Sequence, residues 1–199
     1  MRILAVGTAG DVGKAAVAEL RPRHEIITAG RSSGDVRVDL LDASSISAMF
    51  KKLGKLDAVV ACAGHAHYGP LAGMTETQFM KGLKDKLMGQ VNLVLLGTPY
   101  VNDRGSFTLT SGVLDRDPIL KGVNGATVNA ALKGFVTAAA IELERGIRIN
   151  VVSPGLLEDS EKKYAGLFPG QEMVSSKRVG LAYAKSVEGV LTGQVIIIA

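Results

Sequence analysis

The chain has 199 residues, 47% of them hydrophobic, and its 23 Lys and Arg outnumber 19 Asp and Glu for a formal net charge of +4, which suits one domain with a substantial core. Cys62 is the single cysteine, so an intrachain disulfide is excluded and a reducing, cytoplasmic setting is expected. Scattered basic residues and 5% aromatics argue against a nucleic-acid surface, and no stretch approaches the roughly 18 apolar residues of a membrane span.

In chain order, residues 3–6 read as a strand that runs into Gly7-Thr8-Ala9-Gly10-Asp11-Val12-Gly13, with a helical pattern over 12–20. Such spacing suits a dinucleotide cradle. The first glycine permits the tight turn and the second admits a pyrophosphate against the backbone. The third lets helix and strand pack closely, and the helix N-terminus faces the phosphates. An ordinary glycine-rich turn is the plainer alternative.

Further strands are expected at 25–28, 36–38, 58–61, 106–110, 148–152 and 194–198, and helices at 44–53, 76–101, 122–143 and 177–190. Several strands are apolar on both faces, as in a parallel sheet covered on both sides. The alternation predicts an α/β fold: a single-domain doubly wound parallel sheet (an NAD(P)-binding Rossmann fold) of about seven strands with helices on both faces. One domain, 1–199, is expected, with a short substrate loop near 156–176. Ligands of such sheets bind beyond the strand C-termini, which directs attention to the loops 7–13, 29–34, 62–73, 111–121 and 153–170.

Several motifs occur in one order: the glycines at 7, 10 and 13; Asp39 after Val36-Arg37-Val38; Ala61-Cys62-Ala63-Gly64; Leu109-Thr110-Ser111-Gly112; Ile147-Arg148-Ile149-Asn150-Val151-Val152-Ser153-Pro154-Gly155; and Leu191-Thr192-Gly193-Gln194-Val195. Together they resemble the short-chain dehydrogenase/reductase family over nearly the whole chain. The resemblance implies a cofactor site formed by Gly7, Thr8, Gly10, Asp11, Val12 and Gly13, with Asp39 and Leu40 at the adenine. It adds Cys62, Ala63 and Gly64, and then Pro154, Gly155 and Leu157. It also implies a homodimer or homotetramer, for which the alanine-rich 126–140 and the apolar 91–96 are candidate faces.

Charge speaks to cofactor choice. The second strand ends in Thr28-Ala29-Gly30-Arg31-Ser32-Ser33, with no acid before Asp35. Arg31, Ser32 and Ser33 suit a 2′-phosphate, so NADP(H) is favoured over NAD(H); a polar turn with an exposed arginine is the alternative.

The chain departs from the family at its catalytic pair. Alignment on 134–143 puts Gly125 at the family's tyrosine and Asn129 at its lysine, and no Tyr-x-x-x-Lys occurs anywhere. Substitutes can be named. Lys86 stands roughly at the family's helix-borne asparagine and is a candidate for the missing cation; a solvent-facing lysine is the alternative. Ser111 matches the family's serine, and could equally be a capping residue. His65, His67 and Tyr68 border the pocket, where a histidine or tyrosine could act as acid or base. No nearby ligand set completes a metal site around His65 and His67. Asp115 and Asp117 are candidates for the substrate mouth.

The expected function is an NADP(H)-dependent oxidoreductase acting on a small carbonyl or alcohol, or on an activated unsaturated compound, through Ser111 and either Lys86 or a residue of the 65–68 loop. An NADP(H)-binding sensor without turnover, or a non-redox lyase or isomerase, is the alternative.

Overall fold

The computed structural model describes the backbone of all 199 residues and every side chain except those of residues 163 and 165. Seven strands form one sheet in the order β3-β2-β1-β4-β5-β6-β7, every neighbouring pair parallel. They are β1 (Arg2–Val6), β2 (Glu25–Gly30), β3 (Val36–Arg37), β4 (Leu56–Ala61), β5 (Val101–Thr110), β6 (Arg148–Pro154) and β7 (Val195–Ile198). The helices are α1 (Asp11–Leu20), α2 (Ala43–Leu53), α3 (Glu76–Gly82), α4 (Gly89–Gly97), α5 (Val123–Glu142), α6 (Glu161–Tyr164) and α7 (Ser176–Glu188). Parallel strands need crossovers, and the helices supply them.

Strand periodicity divides the core in two. Leu4, Val6, Val59, Phe107 and Ile149 point to one face, where α2, α4 and α5 cover them with Phe50, Leu93 and Leu132. Ile3, Ala5, Ala58, Val60 and Val152 point to the other, under α1 and α7 with Leu20 and Tyr183. Alternate residues of a strand face opposite sides, so each strand serves both layers. The order reverses between β1 and β4, and a crevice lies at the C-terminal edge of the sheet over the loops that leave those strands.

Residues 76–101 do not form the single helix expected of them. After α3, whose start is closed by a capping box between Thr75 and Gln78, the chain widens into a π-helical segment over Leu83–Met88 before α4 begins. The cause sits on α5. Asn124 lies against Gly82, where a Cβ would fall 2.0 Å from its Oδ1, and its Nδ2 donates to the Phe79 carbonyl at 2.7 Å. A side chain that takes a carbonyl from the helical ladder displaces the regular pairing and favours the wider turn. Val101, placed at the end of that helix, instead starts β5, paired with Leu56.

Part of the expected assembly faces is core: Val91, Leu93, Val94, Val128, Leu132 and Val136 are buried in the chain itself, whereas Leu95 and Ile141 stay exposed. Among the described residues no helix is long and apolar enough to cross a membrane, and no group of three His, Cys, Asp or Glu is arranged to hold a metal.

Phe50 joins α2 to α4: its ring stacks on Tyr100 at 5.7 Å and fills the space beside Gly97, where a Cβ would meet it at 2.6 Å. Truncation leaves a cavity that two helices cannot both collapse into. Phe50→Ala is expected to lower unfolding free energy by about 3–5 kcal/mol, measured by urea denaturation.

Candidate functional site

The crevice is a cleft of about 540 Å³ with the glycine loop as its floor. Gly7 turns out of β1 at φ +83°, and a Cβ there would strike Ala63 at 2.6 Å, so the loops after β1 and β4 touch only because the residue is glycine. Gly13 packs helix to loop: its Cβ would fall 2.4 Å from the Gly7 carbonyl. Gly10, by contrast, has nothing nearer than 4.0 Å to its missing Cβ. It is the N-cap of α1 and makes no side-chain cap, so the helix's first amides remain available to an anion. Thr8, Asp11 and Val12 line the same floor, and Asp11 accepts from Ser160 at 2.7 Å, tying the floor to the segment after β6.

Arg31, Ser32 and Ser33 form one wall and are exposed. Asp35 does not join them. Its carboxylate accepts from the Thr28 amide at 2.9 Å and the Thr28 hydroxyl at 2.7 Å, bonds that hold its pKa below the usual carboxylate range. Asp39 and Leu40 line the cleft beyond β3, with Asp39 Oδ1 accepting from the Leu41 amide. Cys62, Ala63, Gly64 and Pro154 complete the wall. Gly13, Gly155 and Leu157 stand behind it: the Gly155 amide donates to Ile198 at 2.7 Å, and Leu157 is buried in the α1–α7 core. Burial pushes the Cys62 thiol up to about 11, which leaves it un-ionised and unreactive at neutral pH.

At the end of β5 the cleft meets a second chamber of about 160 Å³, bounded by Gly64, Tyr68, Lys86, Gly125, Asn129 and Tyr164 among others. Lys86, on the π-helical segment, is not a solvent-facing lysine. Its Nζ donates to Asn129 Oδ1 at 2.7 Å and to the Ser111 carbonyl at 2.8 Å, while Asn129 Nδ2 donates to the Gly112 carbonyl. Gly64, at φ +117°, lets the segment come this close, since its Cβ would lie 2.5 Å from Lys86 Cα. Burial depresses the Lys86 pKa to about 8, with Asp115 opposing. The Ser111 side chain is buried, and its hydroxyl has no hydrogen-bond partner among the described residues.

Other candidates fall elsewhere. His67 lines neither cavity: its amide donates to Asn124 Oδ1 at 2.8 Å, and its ring folds back on Gly69. His65 borders both cavities, exposed, 3.3 Å from Asp85. Asp115 does not line a mouth, for its side chain is 1% exposed and paired with Lys133 at 2.9 Å. Asp117 lines neither cavity.

Two contributors escape a reading by motif. Gln90 is buried and mimics a strand, donating to the Thr110 carbonyl at 2.9 Å and accepting from its amide at 2.8 Å. Asn129, which stands where the family has its lysine, accepts from the Lys86 ammonium instead. Only the pairing of helix positions in space reveals either.

The sequence matches a family model described as enoyl-(acyl carrier protein) reductase over residues 4–188. Among solved structures, that of the protein lin1944 from Listeria innocua is 44% identical, with all of both chains covered and a TM-score of 0.98. A small-chain dehydrogenase is 27% identical, with 98% of this chain and 94% of that one covered and a TM-score of 0.84. A small-chain dehydrogenase in complex with NADPH is 25% identical, with 98% and 95% covered and a TM-score of 0.86. No curated protein matches the chain at a significant level.

The depressed Lys86 pKa makes stability depend on pH. Between about 8 in the folded chain and 10.5 in the unfolded one, the unfolded state binds the extra proton, so stability rises with pH. Below pH 8 both states are protonated and the cost of burial is constant. The unfolding free energy of the wild type relative to Lys86→Met is therefore expected to rise by about 2 kcal/mol from pH 7 to 10.5, after allowance for partial exposure. Urea unfolding across that range measures it; a flat difference would show that Lys86 is fully hydrated.

Proposed function

The chain belongs to the short-chain dehydrogenase/reductase family, and from that premise we propose that it is an NADP(H)-dependent reductase of small carbonyl or activated unsaturated compounds. One observation carries the reading: a partly buried ammonium, Lys86, is fixed by Asn129 and the Ser111 carbonyl where the cradle cleft meets a smaller chamber. A structural lysine would gain nothing from that position, since its desolvation weakens the fold.

The residues present fit the cofactor. Open space beside Gly10 and the uncapped start of α1 suit a pyrophosphate. Arg31, Ser32 and Ser33, with no hydrogen bond or ion pair among the described residues, suit a 2′-phosphate, and Asp35, which would repel it, is engaged by Thr28. Asp39 and Leu40 suit the adenine end, and Cys62, Ala63, Gly64 and Pro154 the far wall. Bound NADPH supplies a hydride. Lys86 provides the positive charge that stabilises oxygen as it becomes negative, and the unpaired Ser111 hydroxyl orients that oxygen. The chamber's size selects small substrates. A homodimer or homotetramer is part of the same reading, supported on α4 by the exposed Leu95.

A binding protein without turnover is the second reading, favoured by the bare Gly125. Oxidation of NADPH with a panel of small aldehydes, iminium ions and enones separates the two: tight binding with no oxidation sinks the reductase. For the cofactor itself, Arg31→Ala is expected to raise the Kd of NADPH at least about tenfold while changing that of NADH less than about twofold. Fluorescence titration reads both, and equal losses would remove the 2′-phosphate from Arg31.

A further inference from the structure

The reduction proposed above leaves a negative oxygen that must receive a proton, and α5 offers none: Gly125 has no side chain and Asn129 is committed to Lys86 and Gly112. The space over Gly125 is filled from other elements: a Cβ there would meet the Leu114 side chain at 2.8 Å, and a phenol lies next nearest. A Cβ on Gly125 would lie 3.6 Å from the Tyr68 hydroxyl and 3.7 Å from the Ala66 Cβ. Tyr68 belongs to the loop after β4, which is anchored there by its neighbour, since the His67 amide donates to Asn124 one residue before Gly125. The hydroxyl thus borders the chamber that Lys86 and Asn129 also border, with Ser111 at its junction with the cleft.

We propose that Tyr68 is the catalytic proton donor of this site, reaching from the β4 loop into the space above Gly125 and sharing the chamber with the Lys86 ammonium. The inference rests on the reductase reading. Hydride adds to the carbonyl carbon, the C–O π pair moves onto oxygen, and that oxygen forms a bond to the Tyr68 proton as the phenol O–H breaks. The phenolate is stabilised by the Lys86 charge and regains its proton from water, which reaches Tyr68 because the residue is 54% exposed. Tyr164 of α6 borders the same chamber and is the rival donor.

The chain has four tyrosines and no tryptophan, so tyrosinate absorbance reports phenol ionisation without interference. Tyr183 stays un-ionised, because burial raises its pKa well above the ordinary value. In the full-length protein without cofactor, one phenol is expected to titrate at least about one pH unit below a free tyrosine. Tyr68→Phe is expected to abolish that phase, and Lys86→Met to move it back upward, while Tyr164→Phe leaves it in place. With NADPH and a reducible aldehyde, Tyr68→Phe is expected to lower kcat at least about 100-fold at an unchanged Kd for NADPH. No low-titrating phenol, or one that persists in Tyr68→Phe, overturns the assignment, and its loss in Tyr164→Phe transfers the role to that residue. Failure of the wild type to bind NADPH would instead defeat the reductase reading, and the apoprotein titration would still stand by itself.

Discussion

A partly buried ammonium at Lys86 joins the elements around the chamber. An ammonium taken out of water needs acceptors for its protons, and two of them come from separate elements, Asn129 of α5 and the carbonyl that follows β5. Those two bonds lock the π-helical segment, the sheet edge and the long helix at one point. Its electrostatic support comes from Asp115, whose charge raises the Lys86 pKa against the larger effect of burial. Asp115 is itself buried, and Lys133 and Arg116 compensate it, with Arg116 extending to the Ser153 hydroxyl of β6. Charges of alternating sign therefore run from the chamber to the next strand, and neutralising Asp115 would leave Lys133 and Arg116 without their shared partner.

The larger geometry was readable in the residues because it follows from periodicity. Apolar runs on both faces mean a covered parallel sheet, and glycines stand at positions 7 and 13 where a Cβ would collide with its neighbours, while Gly10 leaves open space at the start of α1. The residues proposed to hold the cofactor on the loop after β1 are named from glycine spacing, and Gly7, Thr8, Gly10, Asp11 and Val12 line one cleft. Residues 76–101 were misread because apolar periodicity continues through them. What interrupts the helix is the Asn124 amide, from a part of the chain more than forty residues on, so no local window contains the cause. The same limit applies to His67 and Tyr68. Loop composition places both near the pocket, but the hydrogen bond from the His67 amide to Asn124 decides which of them turns inward.

Lys86 and Asn129 show why a motif defined by spacing can be absent while its physical content persists. The motif asks for a cation one helical turn beyond a phenol on the same helix. Here the cation sits on a facing segment and the amide on α5, and a hydrogen bond of 2.7 Å joins them. Exchanging a cation and an amide across such a bond leaves the net charge of the pair unchanged and its position shifted by only a side-chain length. Sequence comparison along α5 registers two losses, whereas a positive charge still borders the chamber.

Glycine sets the limits of that rearrangement. At Gly64 a side chain would collide with Lys86, and at Gly82 with Asn124, so both segments depend on contacts from which Cβ atoms are excluded. Gly125 belongs to the same set: a Cβ there meets Leu114 at 2.8 Å and approaches the Tyr68 hydroxyl. An alanine at 125 would crowd the Leu114 side chain, and a larger residue would contest the volume held by the phenol. The bare glycine at 125 leaves the space beside α5 to the Leu114 side chain and, at ordinary contact distance, to the Tyr68 hydroxyl, and the donor proposed on the β4 loop draws on that space.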